Sequence, residues 1–173
     1  PSRLVGSEMC IRDRKKSVSA IVVASGSAAT HVGLLLGLRL LRSRIPVYGI
    51  CVRRDKKQQV SRVKGIVRLA ENLIGCGEVV QEDDIKCHDE WLQPGYGRTN
   101  EFVYEAMTLA GNLEAMVVDP VYTAKSFAGA IGLYRQGLFD KSQNILYLHT
   151  GGTPAIFAYE REITETLNLG LTT

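Results

Sequence analysis

Strands alternating with helix-forming segments predict an α/β protein built on an open, mostly parallel sheet with flanking helices. Residues 20–24 form an apolar, β-branched run that breaks at Ser25, Gly26 and Ser27 and re-enters a leucine-rich segment. The same succession returns over residues 46–74 and again over 115–159. Three of the apolar segments stop at polar or glycine-rich turns: at Ser25, at Asp119-Pro120, and at Thr150-Gly151-Gly152. Parallel βα units gather such ends on one rim, where ligands bind.

Taken in order, residues 20–24 predict a buried strand. Residues 30–43, apolar nearly all round, predict a helix lying on the sheet. Residues 46–52 read as a second strand, and Asp55 as the N-cap of a helix running to about Ile74, with apolar spacing at Val60, Val63, Ile66 and Val67. A short strand is expected near Val79 and Val80, and a turn cluster from Pro94 to Asn100. A helix is expected over residues 100–111, a buried strand over 115–118, a helix with small residues on one face over 121–134, and a strand over 144–149.

At 173 residues the chain is long enough for one domain with a proper core. No apolar run approaches the roughly 18 residues of a membrane span. The four cysteines are widely spaced with no C-x-x-C pair, which argues against a metal site or a disulfide framework and for a reducing cytoplasm. The net charge of +3 is already present by Lys16, so it does not mark a nucleic-acid surface. Arg53, Arg54, Lys56 and Lys57, without interleaved aromatics, read as a solvated helix start. Residues 5–14 resemble a translated sequencing-adapter artefact, so residues 1–14 are set apart as an unstructured segment and 15–173 are taken as the domain.

The turn at residues 25–30 carries the clearest chemical signal. A strand that enters a helix through small residues leaves backbone N–H groups unpaired at the helix start, where an anion fits. Gly26 permits close approach, and Ser25, Ser27 and Thr30 can add hydroxyl donors. On this loop alone, a phosphate cradle and an unliganded βα turn remain equal readings.

Four motifs together go further: Gly26-Ser-Ala-Ala-Thr-His-Val-Gly33, Pro94-Gly-Tyr-Gly97, Asp119-Pro-Val-Tyr-Thr-Ala-Lys125, and His149-Thr-Gly-Gly-Thr-Pro-Ala155. In this order and spacing they resemble the D-cysteine desulfhydrase and 1-aminocyclopropane-1-carboxylate deaminase family, pyridoxal-phosphate enzymes of the tryptophan-synthase-β fold. The resemblance covers residues 17–159 and implies the C-terminal part of the cofactor-binding large domain. It implies a phosphate cradle at Ser25, Gly26, Ser27, Ala28, Ala29 and Thr30, although the family pattern has glycines where Ala28 and Ala29 stand. Either φ is negative there or the loop sits differently.

The same resemblance implies that Thr150 meets the pyridine nitrogen of pyridoxal 5'-phosphate, that Thr123 lies at the cofactor, and that Tyr96 and Tyr122 face the substrate. A neutral hydroxyl at the nitrogen makes a weaker electron sink than a carboxylate, which suffices for β-elimination. The family's deaminases carry Glu and Leu where this chain has Thr123 and Thr150, which favours a desulfhydrase-like lyase. The other reading of both threonines is backbone capping. The family's Schiff-base lysine and carboxylate-binding segment belong to the N-terminal half, so Lys125 is read as structural, His31 and His149 as satisfied packing residues, and the chain by itself as inactive. The expected reaction is β-elimination from D-cysteine. Deamination of the cyclopropane acid and sulfite release from L-cysteate are alternatives, and a non-catalytic phosphate- or nucleotide-binding domain is the alternative of another class. The implied partners are a small amino-acid substrate and a second copy in a homodimer, with no metal, nucleic acid or membrane.

Overall fold

The computed structural model describes residues 17–167, so the segment 1–14 lies outside the described residues. Strands β1 (Ala20–Ser25), β2 (Val47–Cys51), β3 (Lys86–His88) and β4 (Ile145–Leu148) form one four-stranded sheet in the order β3-β2-β1-β4, and every pairing is parallel. The helices are α1 (Ala29–Leu40), α2 (Lys56–Ile74), α3 (Glu101–Glu114), α4 (Thr123–Arg135) and α5 (Glu160–Leu167), with 3-10 turns at Glu82–Asp84 and Thr153–Tyr159. The expected open parallel sheet with flanking helices is present. Among these residues no helix is long and apolar enough to cross a membrane. No group of three His, Cys, Asp or Glu side chains among them could hold a metal ion.

Strand alternation sorts the core onto two faces. Ile21 and Val23 of β1, with Val47 and Cys51 of β2, pack against Val32 and Leu35 of α1 and Val63 and Val67 of α2. Ala20 and Val22, with Ile50, face Trp91, Ala106, Ala128 and Leu133 on the other side. Both faces are covered, which is why β1 reads as a continuous apolar run.

Two expected strands are absent. Val79 and Val80 do not pair in the sheet; their N–H groups donate to Oε1 of the buried Glu71 at 2.9 and 3.0 Å, and the edge strand lies further on, at Lys86–His88. Residues 115–118 are apolar but form no ladder. Ala115 closes α3 in the left-handed region at φ 51°, and the Met116 N–H returns to the Ala110 carbonyl at 3.0 Å, which turns the chain out of strand geometry. The helix over residues 100–111 therefore runs on to Glu114. Asn100 caps its start by accepting the Val103 N–H at 2.9 Å. Asp55 caps α2 as expected, accepting the Gln58 N–H at 2.8 Å.

The small-residue face of α4 sets its distance from the sheet. A Cβ on Gly129 would lie 2.6 Å from Ile50, and one on Gly132 would lie 2.0 Å from Trp91. Ile50 is fully buried and has no room to yield. Overpacking costs about 1–3 kcal/mol, more than the ~1 kcal/mol alanine gains over glycine inside a helix. Gly129→Ala should thus lower the urea midpoint, whereas Gly111→Ala, at an exposed position of α3 with open space around it, should raise it.

Candidate active site

The site begins with the loop joining β1 to α1, which is held from behind. Gln59 Nε2 on α2 donates to Ser25 Oγ at 2.8 Å, and that hydroxyl lies 3.0 Å from His31 Nδ1; all three side chains are fully buried. The Gly26 carbonyl accepts from Arg54 Nη1 at 3.0 Å and Gln59 Nε2 at 3.3 Å, and the Ser27 carbonyl accepts from Arg62 Nε at 2.8 Å. In a trans peptide the carbonyl and the following N–H point opposite ways. With these carbonyls turned toward Arg54, Gln59 and Arg62, the Ser27 and Ala28 N–H groups point away from them. Ala28 is left-handed at φ 75° and its own side chain caps nothing; Ser27 Oγ accepts the Ala29 N–H at 3.4 Å, which leaves the other N–H groups at the start of α1 as donors. Alanine thus takes the left-handed φ at Ala28, at a cost of about 1 kcal/mol.

In front of this loop lies a cleft of about 350 Å³ lined by Gly26, Ser27, Thr30, Arg53, Tyr96, Tyr122 and Thr150, with Ala24, Gly151 and Gly152 completing its wall. Tyr96 and Tyr122 meet phenol to phenol, their rings edge-on at 5.9 Å. The hydrogen bond to Tyr96, with burial adding to it, pushes the Tyr122 phenol up to about 12. Either phenol can donate in this bond, and the one that accepts keeps its own hydrogen for another acceptor.

A second buried centre fixes the opposite wall. Asp119 Oδ2 accepts the N–H groups of Val121 and Tyr122, each at 2.9 Å, while Oδ1 accepts the Thr123 N–H at 2.8 Å and its hydroxyl at 2.6 Å. A Cβ on Gly152 would lie 2.6 Å from Asp119 Oδ1, so the turn after β4 must be glycine to close on the carboxylate. His149 steadies that turn: Nε2 donates to the Val117 carbonyl at 2.9 Å, and Nδ1 accepts the Gly151 N–H at 3.3 Å. Lys125 is fully buried, with Nζ donating to the carbonyls of Leu92 at 3.0 Å and Gly95 at 2.5 Å. It thereby positions the loop that carries Tyr96.

Of the residues singled out in the sequence, Gly26, Ser27, Thr30, Tyr96, Tyr122 and Thr150 come together in one cleft. Ser25, Ala28, Ala29 and Thr123 are not among its lining: Ser25 and Thr123 are buried behind it with their hydroxyls engaged, and Ala28 and Ala29 make the turn into α1. Arg53 was missed as a lining residue. Arg54, beside it, is a strut of the loop rather than a solvated charge. Asp119 was legible in part, since an Asp four residues before a Thr at a helix start is a capping pattern; Gln59 carried no signal.

Residues 3–151 match the family described as pyridoxal-phosphate dependent enzyme. The chain is 40% identical over 146 residues to D-cysteine desulfhydrase of Salmonella typhi, a match covering 84% of this chain and 44% of that protein. It is 39% identical over 146 residues to D-cysteine desulfhydrase of Salmonella newport, with the same coverage. The chain thus spans less than half the length of the curated relatives it matches. A solved structure titled as a crystal structure analysis of an ACC deaminase homologue superposes with a TM-score of 0.79 at 31% identity, over 90% of this chain and 46% of that one.

Burial pulls the Lys125 ammonium down to about 8 from its ordinary 10.5. A neutral amine still has two hydrogens for its two carbonyl partners, so deprotonation keeps both bonds and removes a buried charge. Between pH 8 and 10.5 the unfolded chain holds the proton and the folded one does not, so stability gained from this group rises with pH across that window and is lowest below it. The urea midpoint of the wild type relative to Lys125→Met should accordingly increase from pH 7.5 to pH 10.

Proposed function

The chain belongs to the family of pyridoxal-phosphate dependent enzymes, and we propose that it forms the cofactor-binding part of a lyase that converts D-cysteine and water to pyruvate, ammonia and hydrogen sulfide. The observation that carries this reading is the meeting, in one cleft, of an anion-receptive loop, a neutral hydroxyl and a hydrogen-bonded pair of phenols. The identity to D-cysteine desulfhydrases supports the choice of substrate. The reading extends to a homodimer, as the resemblance implies, and to the cytoplasm, which the widely spaced cysteines without a C-x-x-C pair favour.

The residues present fit the cofactor. Gly26, Ser27 and Thr30, with the open N–H groups of α1, take the phosphate, as a helix start takes an anion. Ser25 holds the loop from behind, Ala28 and Ala29 set its turn, and Thr123 acts through Asp119 on the opposite wall. Thr150 also lines the cleft, and its neutral hydroxyl suits the pyridine nitrogen. Pyridoxal phosphate, when bound, supplies the sink for the electron pair released at the substrate α-carbon.

The tyrosines then handle the departing sulfur. Tyr96 donates a hydrogen bond to the developing thiolate, while Tyr122, its phenol pushed up to about 12, stays protonated and holds the Tyr96 oxygen in place.

The test is to assay the complete protein that carries this chain, with pyridoxal phosphate, for pyruvate from D-cysteine, L-cysteine and L-cysteate, and for 2-oxobutanoate from the cyclopropane acid. Pyruvate from D-cysteine is expected; 2-oxobutanoate as the main product would overturn the substrate assignment, and absence of both turnover and cofactor absorbance would overturn the enzyme. Removing one donor from a charge-developing site costs about 10²–10³ in kcat. Tyr96→Phe should lose that order in kcat for D-cysteine with KM little changed, read by initial-rate kinetics.

A further inference from the structure

The residues lining the cleft offer hydroxyls and backbone donors, and among them Arg53 alone carries a formal charge. A phosphate monoester brings close to two negative charges at neutral pH, which neutral donors solvate but do not balance. Arg53 is placed to do so. β1 and β2 run parallel with Ser25 opposite Cys51, the Val52 N–H donates to the Ser25 carbonyl at 3.3 Å, and Gly26 packs on Val52. Arg53 follows directly and lines the cleft together with Ser27, and its guanidinium lies 5.5 Å from the centre of the Tyr96 ring.

No carboxylate among the described residues pairs with it. The nearby acids are committed elsewhere: Asp55 caps Gln58, Asp89 accepts the Lys56 N–H at 2.7 Å, and Glu90 lies with His88. Arg54 and Arg62 spend their guanidinium groups on loop carbonyls. Arg53 is the arginine of this cluster left facing the cleft, held at its side by a cation–π contact that leaves its N–H edges available.

We propose that Arg53 is the cation of a phosphate site completed by the loop at Gly26, Ser27 and Thr30, and that it sets the preference of the cleft for a ligand that carries a phosphate group. The identity of that ligand as pyridoxal phosphate rests on the function proposed above; the preference for a phosphate group does not. Because the same guanidinium stacks on Tyr96, phosphate charge and phenol position are linked through one side chain.

The purified protein is titrated with pyridoxal 5'-phosphate, with pyridoxal, which lacks the phosphate, and with inorganic phosphate, for wild type, Arg53→Gln and Arg53→Lys. Hydrogen bonds to charged groups predict a loss of about tenfold to a hundredfold for both phosphate ligands in Arg53→Gln. Affinity for pyridoxal should hold within about twofold, with partial recovery in Arg53→Lys, which keeps the charge without the planar fork. Unchanged phosphate affinity, or an equal loss for pyridoxal, would overturn the proposal, the second by showing that Arg53 only packs on Tyr96. Unchanged cofactor affinity with a raised KM for L-cysteate would overturn it in favour of a substrate anion. Arg53-dependent binding of inorganic phosphate without binding of pyridoxal phosphate would sink the cofactor reading and uphold this one.

Discussion

The hydroxyl of Ser25, buried between the Gln59 amide and the His31 ring, ties the end of β1 to α2 and to the first turn of α1. It decides where three elements meet, and the cleft stands on that junction. The imidazole reaches this position because β2 has no side chain there: a Cβ on Gly49 would lie 2.4 Å from the His31 ring. The junction has a cost, since His31 Nε2 and Gln59 Oε1 are buried without a hydrogen-bond partner. Unsatisfied groups of this kind cost about 1–3 kcal/mol each. The Gln59 amide that meets Ser25 also donates to the Gly26 carbonyl, so one buried side chain holds both the end of the strand and the loop backbone.

The cleft is then a product of parallel topology. β1, β2 and β4 all end at the same rim, so the Ser25 loop, Arg53 and the Thr150 turn are brought together from segments more than a hundred residues apart at their extremes. Two further walls come from outside the sheet. Lys125 hangs the 92–95 segment from α4, and Asp119 fixes the start of α4 while the turn after β4 packs closely against its carboxylate. Each anchor is a buried polar group with several partners, the condition under which a charge in the interior is tolerated.

Much of this was legible in the sequence because apolar periodicity and turn chemistry agree there. The run into Ser25 and Gly26, the Asp55 cap and the Thr150-Gly151-Gly152 turn all follow local rules. The misreadings arise where a side chain or a single dihedral replaces a ladder. Val79 and Val80 have strand composition but are satisfied by Glu71, and residues 115–118 are turned aside by the left-handed Ala115. Arg53 and Arg54 are equivalent on paper; only the geometry just after β2 sends one into the cleft and the other behind the loop. Thr123 shows the limit from the other side: its hydroxyl is spent on Asp119, as the capping reading has it, and its place near the cleft comes from fold rather than contact.

The struts behind the loop also bear on how this scaffold can change. Arg54, Gln59 and Arg62 grip backbone carbonyls, and the groups facing the cleft contribute nothing to that grip. Shape is thus stored on one side of the peptide and recognition is displayed on the other. At position 28 the left-handed turn already carries an alanine, so the loop keeps its shape with a methyl group there. A lineage, or a designer, can vary Ser27, Thr30 and Arg53 to suit a different anion while the fold is kept by residues that never meet the ligand.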